Sequence, residues 1–209
     1  MKNKQRAIRG IKKIKTNLKF YIVYNEKGRP KGIMQAKKEN QQVSEEKWLK
    51  GVTCFVINEN GEILMERRVN KGLTPGAFDL CSGHIDNLEI PFHAMIRELH
   101  EELGLDHREV GEKLRKVSDK PLPLRFKSGD KTRNFHISFF CTKLTAEQVK
   151  DIKKQDSEVS EVIWLPSEEV FEMIQKGETK FPKEGDYSSI FENVRAVIKP
   201  NPEKEQVIK

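Results

Sequence analysis

Residues 83–105 read GHIDNLEIPFHAMIRELHEELGL, and their second half sets three carboxylates and one guanidinium on little more than one helical turn. In a helix, Glu98, Glu101 and Glu102 stand at i, i+3 and i+4, the spacing that gathers side chains on one face. Three like charges in one patch repel and would weaken an isolated helix. A hard divalent cation with oxygen ligands, Mg²⁺ above all, resolves that conflict. The signals for a helix over about 91–103 agree. Pro91 suits its first turn, Met95, Leu99 and Leu103 form an apolar stripe, and Gly104 suits the left-handed residue past its end.

The plain alternative for an acidic cluster is a solvated helix face. The frame around it decides otherwise. Gly83, five residues, Glu89, seven residues, Arg97-Glu98-Leu99, one residue, Glu101-Glu102, one residue and Gly104-Leu105 fill every fixed place of the Nudix box, GX5EX7REUXEEXGU. The chain thus resembles a Nudix hydrolase. The resemblance implies an α/β fold, a mixed β-sheet sandwiched between α-helices. It also implies Mg²⁺-dependent hydrolysis of a diphosphate linkage in a nucleoside diphosphate derivative, with Mn²⁺ as the alternative cation. Glu98, Glu101 and Glu102 are then the metal-holding catalytic carboxylates, with the carbonyl of Gly83 a further ligand presented by a strained turn. Arg97 is expected to orient them, reaching back to Glu89 and to a ligating carboxylate. Nudix enzymes often take an additional base or ligand from a later loop, and Glu158 and Glu161 stand in position for it. Arg67 and Arg68 lie on a strand that binds phosphate or substrate in relatives. Being adjacent, one faces the site and the other away. His84, His93 and His100 read as local polar contacts.

The flanks carry a finer likeness. A hairpin with a G-x-P-x-G turn, then Trp48, then paired strands ending in Arg67-Arg68, then PGAFDL, resembles the Nudix branch that includes isopentenyl-diphosphate isomerase. This raises two alternatives, an isomerase of that kind and a non-catalytic nucleotide-binding module. The isomerases place a cysteine immediately before the Gly-His of the box. Here that residue is Ser82, and Cys81, one step earlier on a strand, turns to the opposite face. Cys81 therefore reads as a buried small hydrophobe. The complete box speaks against a module without catalysis.

Charge is unevenly spread over the 209 residues. Residues 1–19 hold eight basic side chains and no acid, leaving 31 basic against 32 acidic residues in the remainder of a chain whose net charge is +7. The expected organisation is a basic extension over 1–19, one Nudix domain over 20–199 and a frayed tail over 200–209. Ile8, Ile11, Ile14 and Leu18 recur at helical spacing in the extension, and weak, non-specific nucleic-acid binding through it is expected from charge alone. No apolar run reaches the length of a membrane span, and no secretory signal is expected. Cys54, Cys81 and Cys141 are widely spaced and lack a CxxC pair, which fits reduced, cytoplasmic thiols. A homodimer stays open, as does the identity of the substrate.

Along the chain, strands are expected at 20–24 and 32–35, at 52–58 and 62–67 around an Asn60-Gly61 turn, at 78–82, at 136–142 and at 162–165. Residues 37–47 read as loop, 107–120 as a charged loop with a strand, and Arg125-Phe126 as an edge segment beside a hairpin turn at 130–133. Helices are expected at 145–152, capped by Thr145 with Gln148, at 167–175 with Ser167 as cap, and at 188–198.

Overall fold

The computed structural model describes residues 19–36, 46–69, 76–86, 89–128 and 131–199. The expectations for most of the basic extension, for most of the 37–47 loop, for the first residue of the 130–133 turn and for the frayed tail lie outside them; residues 131–133, expected in that turn, are strand, paired across to residues 126–128.

The elements follow one another as β1 (Lys19–Tyr24), β2 (Pro30–Ala36), β3 (Trp48–Ile57), β4 (Glu62–Arg68), β5 (Phe78–Asp79), β6 (Cys81–His84) and α1 (Pro91–Leu103). Then come α2 (His107–Lys113), β7 (Arg115–Lys116), β8 (Leu122–Ser128), β9 (Lys131–Lys143), α3 (Ala146–Lys150), β10 (Val159–Pro166), α4 (Ser167–Lys176) and α5 (Ser188–Ile198).

β3 is buried on both faces, and its alternation builds two cores. Val52, Cys54 and Val56 face Met95, Leu99 and Leu103 of α1 together with Val110 of α2. Phe55 and Ile57 face the opposite side, where Phe171 of α4 and Phe191 of α5 stack with centroids 4.3 Å apart. A mixed sheet between two helical layers results, because every side chain of a doubly buried strand needs an apolar partner. β9 runs parallel to β3 in continuous register from Trp48↔Asn134 to Ile57↔Lys143, and β7 and β8 add to β9 antiparallel.

The feature that makes room for a site lies between β3 and β4. They pair only beside their turn, at Ile57↔Ile63, and then diverge. The chain at 78–84 crosses the opening, with β5 pairing on β4 and β6 pairing on β3. The single strand expected over 78–82 is therefore two, because each half bonds to a different arm of the splayed sheet.

Several other expectations are amended. Residues 107–113 form a helix, not loop, since the Asp106 side chain accepts the backbone N–H groups of Arg108 and Glu109 and Val110 finds the α1 core. The edge segment near Arg125 extends to a full strand, β8, and the strand expected at 136–142 is the longer β9. Thr145 and Gln148 close their capping box on α3, whereas Ser167 does not cap α4, which starts after Pro166 with no side-chain cap. Among the described residues no helix is long and apolar enough to cross a membrane.

Candidate active site

The box helix presents its carboxylates by the way it is bracketed. Pro91 opens α1, and Gly104 closes it at φ 70°, its N–H donating to the carbonyl of His100 at 2.9 Å. With Met95, Leu99 and Leu103 pressed on β3, Glu98 and Glu102 fall at the rim of the buried face, 9% and 3% exposed. Glu101 points to solvent. All three line a cavity of about 200 Å³ set in the sheet opening.

Arg97 ties this cluster together. Its Nε and Nη2 donate to the two oxygens of Glu89 at 3.1 and 3.0 Å, and Nη2 also to the His84 carbonyl at 2.9 Å. Nη1 donates to Glu98 at 2.7 Å and to Glu101 at 3.2 Å. Glu89 in turn accepts the Asp86 N–H at 3.2 Å. Burial works against the guanidinium, but Glu89 and Glu98 outweigh it and raise its pKa, so Arg97 stays charged.

Gly83 lies under Glu98. A Cβ on it would stand 1.9 Å from the Glu98 carboxylate, so this position excludes any side chain. Its backbone is not left-handed, and it sits within β6. The expectation of a strained turn is thereby corrected: what requires glycine is the close approach of a carboxylate.

Beneath Glu102 the structure gathers groups that the motif does not contain. Glu66 on β4 and Asp79 on β5 are direct cross-strand neighbours, 2% and 0% exposed. Asp79 accepts Lys180 Nζ at 2.6 Å, Ser82 Oγ at 3.2 Å and Arg68 Nη1 at 3.3 Å. Glu102 accepts the Ser82 N–H at 3.1 Å. Glu66, Cys81 and Glu102 bring ligand atoms within 4.8 Å of one another. Even so, Glu66 Oε1 and Asp79 Oδ1 have no hydrogen-bond partner among the described residues.

So much buried negative charge alters protonation. Burial pushes the Glu98 carboxyl up to about 7 against the opposing pull of Arg97, and Glu101 and Glu158 add to the rise. Burial likewise pushes Glu102 up to about 8, with Glu98 and Asp79 adding to it and the Cys81 thiol opposing. Orphaned carboxylate oxygens beside carboxyls that resist ionisation are what a hard cation with oxygen ligands relieves, so these residues fit a divalent metal.

A pH dependence follows. The ordinary glutamate value is 4.5, so as pH rises from there to about 8 the folded protein holds protons that the unfolded chain has released. The contribution of these two carboxyls to metal-free stability should therefore fall across that window. Added Mg²⁺ should raise Tm more near pH 8 than near pH 5, because it binds the ionised carboxylates. Thermal melts with and without Mg²⁺ check this, and a Mg²⁺ increment that is larger at the acid end would contradict it.

Of the other residues expected at the site, Arg68 faces inward onto Asp79. Arg67 faces out, 3.4 Å from Glu161 and 4.7 Å above the Phe78 ring. Glu161 thus stands away from the cavity, whereas Glu158 lines its mouth, close enough for its charge to raise Glu98. The His84 ring packs edge-on to Phe135 at 5.3 Å, His93 is exposed, and His100 Nδ1 lies 2.9 Å from the Leu105 carbonyl. Glu66, Asp79 and Lys180 are additions. Strand alternation could have found Glu66, because Ile63 and Met65 face the α4/α5 core, and Glu66 continues the face of Leu64 toward α1. Lys180 has no such signal. A backbone bond from its N–H to the Phe78 carbonyl, 3.0 Å, brings it in.

Comparison with known proteins identifies the family. The family model described as NUDIX domain matches residues 47–184. No curated protein matches. Among solved structures, the chain is similar to DR0079 from Deinococcus radiodurans, at 20% identity over 84% of this chain and 97% of that one, with a TM-score of 0.58. It is also similar to the MutT protein from Methanosarcina mazei Go1, at 23% identity over 73% and 96% of the two chains, with a TM-score of 0.50. With its box complete and folded as a loop leading into a helix, and with the family model spanning well over half its length, the chain belongs to the Nudix family, as one of its pyrophosphohydrolases.

Proposed function

We propose that this enzyme hydrolyses the diphosphate linkage of a nucleoside diphosphate derivative, with Mg²⁺ held by Glu98, Glu101 and Glu102 and by the carbonyl of Gly83. The observation that carries the reading is the pair of buried glutamates, Glu98 and Glu102, whose carboxyls are held up to about 7 and 8 beside oxygens that lack donors. Bound there, the cation supplies neutralisation of the diphosphate and a water acidic enough to act as hydroxide. The chain's own residues do the rest. Arg97 fixes Glu98 and Glu101 in one orientation, and the Ser82 N–H fixes Glu102. Arg68 and Lys180, drawn into the cavity by Asp79, set positive charge where phosphate oxygens enter. Glu158, which lines the cavity, then serves as the later-loop base that accepts the proton of the attacking water.

The test is a panel of nucleoside diphosphate derivatives with Mg²⁺, following release of monophosphate or phosphate. Turnover of at least one member, abolished by excess chelator, is expected. Turnover that persists in chelator, or none across the panel, would overturn the reading.

The isomerase alternative turns on Cys81. Its thiol is wholly buried, and burial, with Glu102 and Glu66 beside it, pushes its pKa well up, so it is protonated and shut off from substrate. Cys81→Ala should keep hydrolytic turnover within about threefold and cost about 1 kcal/mol of stability, as loss of a small buried side chain does. Loss of all activity in that variant, with interconversion of isopentenyl and dimethylallyl diphosphates by the wild type, would favour the isomerase.

A further inference from the structure

We propose that Arg133 determines substrate specificity at this site by receiving an anionic group, a phosphate above all, that the substrate carries beyond the metal-bound diphosphate. The inference rests on the diphosphate-hydrolysis reading and narrows its substrate class.

Four cationic side chains line the cavity among the described residues, and three of them are taken. Arg97 is spread over Glu89, Glu98 and Glu101. Arg68 and Lys180 both bind Asp79. Arg133 is the fourth. It is half-buried, yet it makes no hydrogen bond or ion pair with any described residue, and burial alone lowers its pKa with no carboxylate to offset the loss of water. Removing a guanidinium from water without a counter-charge is unfavourable, and an apolar or amide side chain would suit the folded state better. A half-desolvated arginine that no described residue satisfies is a binding group held ready for a ligand.

Its surroundings specify the ligand. Arg133 stands directly across the β8–β9 ladder from Phe126, and Phe135, two residues along β9, shares its face. The Phe126 and Phe135 rings meet edge-on at 5.5 Å, and Phe181 closes on Phe126 at 6.2 Å. This wall is apolar, with Phe126 and Phe181 buried, so water competes poorly for the guanidinium and a charge-assisted bond there gains strength. The planar fork of arginine matches two oxygens of one phosphate, which a lysine could not do. The cavity, about 200 Å³, is smaller than the usual volume for a whole drug-sized ligand, which favours a compact anion over a complete nucleoside as its content. Arg133 is a specificity residue and takes no part in the attack at phosphorus.

The test compares two non-hydrolysable methylene-bridged analogues, one with two phosphorus atoms and one with three, bound to the full chain in Mg²⁺ and measured by calorimetry. Wild type should bind the three-phosphorus analogue at least about tenfold more tightly, the gain expected of one charge-assisted contact. Arg133→Gln should bind both alike, and Arg133→Lys should fall between. Arg133→Gln should also melt no lower than wild type, since it removes an unpaired, half-buried charge. If Arg133→Gln weakens both analogues equally, or neither, the inference is overturned. Discrimination without any hydrolysis in the panel would remove only the proposed reaction. Hydrolysis without discrimination would remove only the role of Arg133.

Discussion

Glu102→Gln should lower kcat by at least about a hundredfold and, in metal-free buffer near pH 8, raise the melting temperature. The first effect is the usual scale when a group that organises charge in the transition state is removed. The second follows from what Glu102 does when no cation is present. It is 3% exposed, its carboxyl is held up to about 8, and it stands among Glu98, Glu66 and Asp79. A neutral amide of the same shape can still accept the Ser82 N–H, and it can donate toward Glu66, whose Oε1 lacks a donor. If about 1 kcal/mol of repulsion is relieved, Tm should rise by roughly 2–4 °C in a chain of this size. The gain should shrink near pH 5, where the native carboxyl is already protonated, and reverse when Mg²⁺ is added. A structural glutamate would show the opposite pattern, with lower Tm under every condition. Full turnover in Glu102→Gln would sink the assignment.

This trade between stability and function explains why the site sits where the sheet opens. β3 and β4 part after a single pair, and the segment between β5 and β6 bridges the opening. Acidic side chains from α1, β4 and β5 therefore converge in a space that neither core fills. Elsewhere the same strands are ordinary: Val52 and Cys54 pack on α1, Phe55 on α4 and α5. A local excess of buried charge is tolerable because the two cores flanking it are large.

What could be read in advance was local in the chain. The limits of α1 followed from Pro91 and Gly104, and the strands around Asn60-Gly61 from alternation and turn chemistry. The Arg97–Glu89 contact was an expectation from the resemblance to the Nudix box, and the two side chains do meet. What could not be read depended on distant segments meeting. α2 is short, carries Gly111 inside it and buries only Val110, so its periodicity is too weak to announce a helix. Lys180 and Asp79 are 101 residues apart in the sequence, and they meet because Phe78 and Thr179 form a backbone bridge. Arg133 is one basic residue among many in the sequence, and only the cavity distinguishes it.

Gly83→Ala should abolish most activity through a single methyl group. The added Cβ would meet Glu98 Cδ and Oε1 at 1.9 Å and Oε2 at 2.5 Å, well inside any real contact. The backbone at 83 is ordinary strand, so alanine is conformationally permitted there and only the collision matters. What must yield is the far end of a flexible side chain, and the fold should therefore survive with a loss of about 1–2 kcal/mol, within the range for overpacking. The carboxylate cannot yield without leaving Arg97 Nη1, which holds it at 2.7 Å, and kcat/KM should drop by about a hundredfold or more with the metal-holding geometry. A double-mutant cycle separates this from general damage. In a Glu98→Ala background the collision is gone, so Gly83→Ala should cost almost nothing further in stability or in residual activity. Additive losses in the cycle would mean that Gly83 serves the strand rather than the glutamate above it.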